Sequence, residues 1–218
     1  MVRLEQILKT YRSAQGNVKA LDGVNLHIEK GEFVVICGPS GSGKTTLLMT
    51  IAAMLRPTSG KVSIDGRSLY GMDQRGRATF RAQNIGFVFQ DFALIPYLNV
   101  MENVAFAGGA AANGRRDARA RALIEKFGLT ARAHHKPSQL SAGEKQRTAV
   151  ARALLNNPRI VLADEPTGNL DPDNAAVVLG DFTDFNRSGG TVIVATHGLT
   201  AEKFASRIIY LQDGKIRP

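Results

Sequence analysis

The stretch GPSGSGKTT, residues 38 to 46, holds Gly38, Gly43, Lys44 and Thr45 in the spacing G-x-x-x-x-G-K-[ST]. It follows the apolar run FVVIC and opens the helical pattern TLLMTIAAML, the strand-then-helix setting that a phosphate loop requires. The residue types explain themselves. Glycines let backbone N–H groups close around a β-phosphate, Lys44 brings a cation toward the β and γ oxygens, and the Thr45 hydroxyl can ligate Mg²⁺. A nucleoside triphosphate is the expected ligand.

Such a loop needs a metal carboxylate and a group that activates water. RIVLADEP offers both, because Asp164 and Glu165 end an apolar strand run where ligands gather in open α/β sheets. Asp164 is expected to hold Mg²⁺ and Glu165 to polarise the attacking water. His197, which follows TVIVAT, is expected at the same sheet edge and in contact with the γ-phosphate or the water. His27, His134 and His135 read as structural.

LSAGEKQRTAVARAL, residues 140 to 154, allows two readings. Ser141 and Glu144 fit the S-x-x-E capping box, in which hydroxyl and carboxylate satisfy amides left unpaired in the first helical turn. The same Gly-containing helix start, at Ser141 and Gly143, is also an anion site with free N–H groups and the positive end of the helix dipole.

These residues must be positioned by a substantial fold. At 218 residues, with 44% hydrophobic and 22% charged, the chain fits one globular domain and neither disorder nor a fibrous repeat. Its one cysteine, Cys37, excludes an intramolecular disulfide and a Cys-rich zinc site and suits a reducing compartment. MVRLEQILKTY lacks an apolar signal core and no long apolar run follows, so we expect a chain neither exported nor spanning a membrane by itself. The net charge of +9 admits nucleic acid, an anionic membrane surface or phosphorylated ligands. Much of it is arginine, as in GRRDARARAL at 114 to 123, whose simplest reading is a solvated helix face.

Short β-branched runs at 61 (KVSI), 85 (IGFVF), 159 (RIVLA), 191 (TVIVAT) and 207 (RIIYL) include several that alternate with helical patterns, predicting an α/β domain with a largely parallel sheet. VRLEQILKTY and ALDGVNLHIEKGE predict a smaller antiparallel portion turning at AQGN. Residues 92 to 157 carry helical patterns and few strand signals, and read as a helical subdomain inserted in an α/β core of 1–91 and 158–218.

In order, GPSGSGKTT, LSAGEKQR, VLADEPTGNLD and ATH resemble the nucleotide-binding subunit of ATP-binding cassette (ABC) transporters, over essentially the whole chain. The resemblance implies a P-loop NTPase of ABC type that binds ATP and Mg²⁺ and hydrolyses ATP. It extends phosphate binding to Pro39, Ser40, Gly41, Ser42 and Thr46, and gives Tyr11 the adenine stack. Gln90, ending IGFVFQ, becomes a Mg²⁺ contact that senses a membrane partner. Asp171 in GNLD becomes part of a loop crossing between subunits. It further implies a head-to-tail dimer in which Ser141 and Gly143 of one copy face the ATP held by the other.

FQDFALIPYLNVMENV and ADEPTGNLD resemble the branch with lipoprotein-releasing, macrolide-export and cell-division ATPases. That implies a motor subunit, cytoplasmic and peripheral on the inner face of the cell membrane, driving a separate permease without nucleic acid. An ATP-dependent switch acting on a cell-wall or division partner is the alternative. The chain stops soon after IIYLQDGKI, as expected of a minimal motor subunit, and DFALIPYL is expected to border the groove for a permease coupling helix. Ala142 and Glu144 depart from the usual LSGGQ, so a methyl group is expected to narrow the approach of the partner's phosphate, and Glu144 to fold back onto its own cap. Gly198 stands where an acidic residue is common.

Overall fold

A computed structural model describes residues 1–13, 16–107 and 114–217. The turn expected at AQGN lies partly outside the described residues.

Among the described residues, ten strands form two sheets. β1 (Val2–Ser13) and β2 (Gly16–Ile28) pair antiparallel, and β4 (Ser59–Ile64) and β5 (Arg67–Ser68) extend that sheet in the order β2-β1-β4-β5. The other sheet runs β10-β9-β3-β8-β7-β6, from β3 (Phe33–Cys37), β6 (Ile85–Val88), β7 (Ile160–Asp164), β8 (Thr191–Thr196), β9 (Arg207–Gln212) and β10 (Lys215–Arg217). Within it β9, β3, β8, β7 and β6 are parallel, and β10 returns antiparallel on β9. KVSI at 61 therefore belongs to the antiparallel sheet: β-branched residues favour a pleated surface in either pairing direction.

Both faces of the central sheet are covered, which explains why its strands read as continuous apolar runs rather than alternating ones. Val34, Ile36, Ile160, Leu162, Ile193 and Ala195 face one core, shared with the antiparallel sheet and with Leu47, Leu48 and Ile51 of α1 (Lys44–Ile51). Their immediate neighbours Val35, Val161, Ala163, Val192 and Val194 face a second core. That one is built with α3 (Val100–Phe106), α4 (Gly114–Lys126), α5 (Ala142–Leu154) and α6 (Pro172–Arg187). α2 (Gln74–Asn84) leads into β6 and buries Phe80. The helices α3 to α5 all fall between β6 and β7, forming the inserted helical part.

Candidate functional site

β3 delivers the chain to a cleft of about 480 Å³ lined by Pro39, Ser40, Gly41, Gly43, Lys44, Thr45, Thr46, Gln90, Glu165 and His197, with Ala20 completing the wall. Gly43 precedes α1 at φ 105, and a Cβ there would collide with the Ala20 carbonyl, so no other residue closes this turn. No side chain caps α1, which leaves the N–H groups of its first turn available to an anion. Ser42 lies beneath the loop with its buried hydroxyl unpartnered. Gly38 adjoins it.

Lys44 is buried and donates to the carbonyls of Gly38 (2.7 Å) and Pro39 (3.0 Å), while its ammonium lies 3.7 Å from a Glu165 oxygen. Glu165 sits just past β7 at φ 44, a left-handed conformation costly for a residue with a side chain. Its N–H donates to the Ala195 carbonyl (2.8 Å). Its carboxylate accepts from His197 Nδ1 at 2.8 Å and from the His197 backbone N–H at 3.3 Å. An ionised carboxylate has no proton to give, so Nδ1 carries the hydrogen.

Asp164 is 5% exposed, and its Oδ1 is buried without a partner. Burial raises its carboxyl above the ordinary value, against the opposing pull of the Thr45 hydroxyl beside it. An orphaned carboxylate oxygen next to a hydroxyl is a hard-oxygen donor set that fits Mg²⁺. Gln90 lines the cleft together with Thr45.

The remaining expected residues lie apart from this cleft. Tyr11 is 42% exposed on β1, opposite Val18, with the Lys9 ammonium 5.2 Å from its ring. Ser141 caps α5: its hydroxyl accepts from the Glu144 N–H, and Glu144 Oε2 accepts from the Ser141 N–H at 2.8 Å. Glu144 Oε1 takes Arg132 Nε at 2.9 Å, so the carboxylate does fold back as expected. Ala142 is exposed and Gly143 buried.

Asp171 caps α6, and both of its oxygens accept from Asn174, from the backbone N–H (3.0 Å) and the side-chain amide (2.7 Å). These bonds hold its carboxyl below the ordinary value. Asn174 Oδ1 also accepts from Arg147 at 3.2 Å, and a Cβ on Gly143 would come within 2.6 Å of it. Asn174 thus ties the start of α5 to the start of α6, a role visible only once those helices pack. A D-x-x-N spacing behind GNLD is its one trace in the sequence. At Gly198 the φ is −92° and a Cβ would meet only ordinary contact, so nothing inside the chain demands glycine there.

The model of a family described as ABC transporter matches residues 21–168. A lipoprotein-releasing system ATP-binding protein of Hyphomonas neptunium is 42% identical over 99% of this chain and 96% of its own length. A macrolide export ATP-binding/permease protein of Syntrophobacter fumaroxidans is also 42% identical, but the chain spans only 31% of that longer protein. Among solved structures, the cassette MJ0796 of Methanocaldococcus jannaschii, described as dimeric in a post-hydrolysis state with ADP and Pi, superimposes with a TM-score of 0.93. It is 43% identical, covering 100% of this chain and 97% of its own. On both sequence and fold, the chain belongs to the ABC transporter family as an ATP-binding cassette.

Proposed function

We propose that this cassette is the ATP-hydrolysing motor of a membrane complex of the export or lipoprotein-release type. The observation that carries the reading is the convergence of Lys44, Thr45, Gln90, Glu165 and His197 on one cleft at the carboxyl edge of the parallel sheet. The loop from Gly38 to Thr46 binds the ATP phosphates and Tyr11 stacks on adenine. Thr45, Asp164 and Gln90 hold Mg²⁺, which when bound neutralises charge on the phosphate oxygens. Glu165 takes the proton of the attacking water, and His197 steadies Glu165 through Nδ1 while its ring edge meets the γ-phosphate.

Two copies pack head to tail, with Ser141, Gly143 and Asp171 completing the site across the interface. The pairing of two copies is supported by solved structures of a 43% identical cassette that are described as dimeric. The intervals 1–91 and 158–218 act as the α/β core and 92–157 as the helical subdomain.

Attachment to the membrane runs through a separate permease, with the cassette on the cytoplasmic face; among the described residues no helix is long and apolar enough to cross a membrane. A groove of about 720 Å³ receives that partner; it is lined by Phe87, Phe89, Ala93, Phe106 and Arg152, with Met54 at its edge. Of the segment expected to border it, Ala93 lines the groove, whereas Phe92 and Leu94 pack against the second core.

Glu165→Gln tests the assignment. Turnover should fall by about a thousandfold, while ATP now holds a stable dimer on size exclusion. Normal hydrolysis by this variant would remove Glu165 from its role.

A further inference from the structure

Away from the nucleotide cleft, a small pocket of about 310 Å³ lies between the end of α1 and α2, lined by Arg56, Arg77, Arg81, Tyr70, Gln74 and Met54 among others. The Arg56 and Arg77 guanidinium carbons lie 5.5 and 5.6 Å from the Tyr70 ring centre. Each of the three guanidiniums is fastened by one bond to a backbone carbonyl: Arg56 to Tyr70 (3.1 Å), Arg77 to Met72 (3.2 Å) and Arg81 to Ala53 (3.4 Å). The ring between them is fixed too, its one hydroxyl hydrogen shared between the carbonyls of Thr50 (2.8 Å) and Leu55 (2.5 Å).

Among the described residues none of these three arginines forms an ion pair, although Arg3, Arg132, Arg159 and Arg207 each find a carboxylate. Burial keeps the Tyr70 hydroxyl protonated, and no carboxylate lines the pocket. Three like charges are therefore gathered around one concavity with no counter-charge, an arrangement that repels itself until an anion enters. A guanidinium carries five N–H donors, and the carbonyl bond of each arginine uses only one. The remainder, preoriented by those bonds, suit the several acceptor oxygens of a phosphate better than a single carboxylate.

We propose that Arg56, Arg77 and Arg81, set around Tyr70, form a second anion site that binds a phosphate group. Two sources share that chemistry: a phospholipid headgroup and a soluble phosphate compound. The pocket shares Met54 and Arg81 with the larger apolar groove, which places an occupant at the rim of that surface. The proposal does not depend on the ATPase reading.

The test uses the whole chain saturated with ADP, so that the phosphate loop is filled. Calorimetry with pyrophosphate and sedimentation with phosphatidylcholine vesicles, with and without phosphatidylglycerol, read the two sources separately. Arg56→Ala with Arg77→Ala should weaken binding by about tenfold per arginine. Lys61→Ala with Lys203→Ala, an equal loss of exposed charge, should leave it unchanged. Binding of pyrophosphate alone assigns a soluble ligand, and binding of anionic vesicles alone assigns a headgroup; either supports the site. Equal losses in the two double variants would reduce it to diffuse surface charge. Failure of the wild-type chain to bind either pyrophosphate or anionic vesicles would overturn it, and binding of an acidic peptide in their place would assign a protein contact. If the arginine double variant no longer binds ADP, Arg77→Lys, which keeps the charge and loses the fork, should still weaken phosphate binding.

Discussion

Glu144 and Asp181 are two carboxylates whose surroundings push them in opposite directions. Glu144 accepts from the Ser141 N–H and from Arg132, and those bonds, the backbone one foremost, hold it below its ordinary value of 4.5. Its stabilising share is thus present above that ordinary value and is lost as pH falls through the lower folded one. Glu144→Gln should cost about 1 kcal/mol near neutral pH and flatten the acid limb of a denaturation series. An unchanged acid limb would mean the cap carries no charge component.

Asp181 on α6 has a buried, unpartnered Oδ2, and burial raises its carboxyl to about 6. Between its ordinary value of 3.8 and that point the folded state holds the extra proton, so stability falls as pH rises, and the penalty is complete above about 6. Asp181→Asn should therefore stabilise the protein at pH 7.5 by about 1 kcal/mol, the gain being limited because water still reaches the group. The gain should vanish below pH ~4. A constant gain across that range would show that packing, not charge, is responsible. The Ser141 contribution to Glu144 is legible in the sequence as the capping box, whereas Arg132 and the burial of Asp181 are brought about only by folding.

At the scale of elements, α5 is the connector. Its first turn carries Ser141 and Gly143, and near its other end Arg152 donates to the carbonyls of Phe92 (2.7 Å) and Ala93 (2.5 Å), just after Gln90. Both carbonyls belong to left-handed residues, at φ 59 and 47, so the loop after Gln90 is strained and held by the helix. Arg152→Ala leaves two carbonyls without their partner and should cost about 2 to 3 kcal/mol, read as a lower denaturant midpoint. A change under a few tenths would assign the loop's shape to its own turn.

The strands and helices themselves were legible wherever a local pattern sufficed. FVVIC, RIVLA and TVIVAT announce strands buried on both faces, and the S-x-x-E box announces the start of α5. Pairing was less legible. KVSI says strand but not which sheet, the short β5 and β10 have too few residues to signal at all, and the contact of Gly143 with Asn174 depends on how α5 crosses α6.

For the whole molecule, the cleft at Lys44 and the helix start at Ser141 occupy separate places in one chain. If two copies complete each other, Ser141→Arg should leave ATP binding to the monomer intact while abolishing turnover, and wild-type turnover should rise more steeply than linearly with protein concentration. Linear dependence together with an active Ser141→Arg would assign hydrolysis to single chains. The cleft residues could be read ahead of the structure because each sits at the end of a strand or the start of a helix. The arginine pocket could not, since Arg56 and Arg77 stand apart in sequence and meet only around Tyr70.

Lys44 is satisfied within its own loop. Its ammonium already lies against two carbonyls of its own loop, near Glu165, so the arrival of phosphate exchanges partners instead of introducing a fresh attraction. Selectivity at that loop then comes from how much better phosphate oxygens satisfy the ammonium than carbonyls do. The large positive charge of the chain governs encounter, and the discrimination is settled indoors, where dissolved salt has little reach.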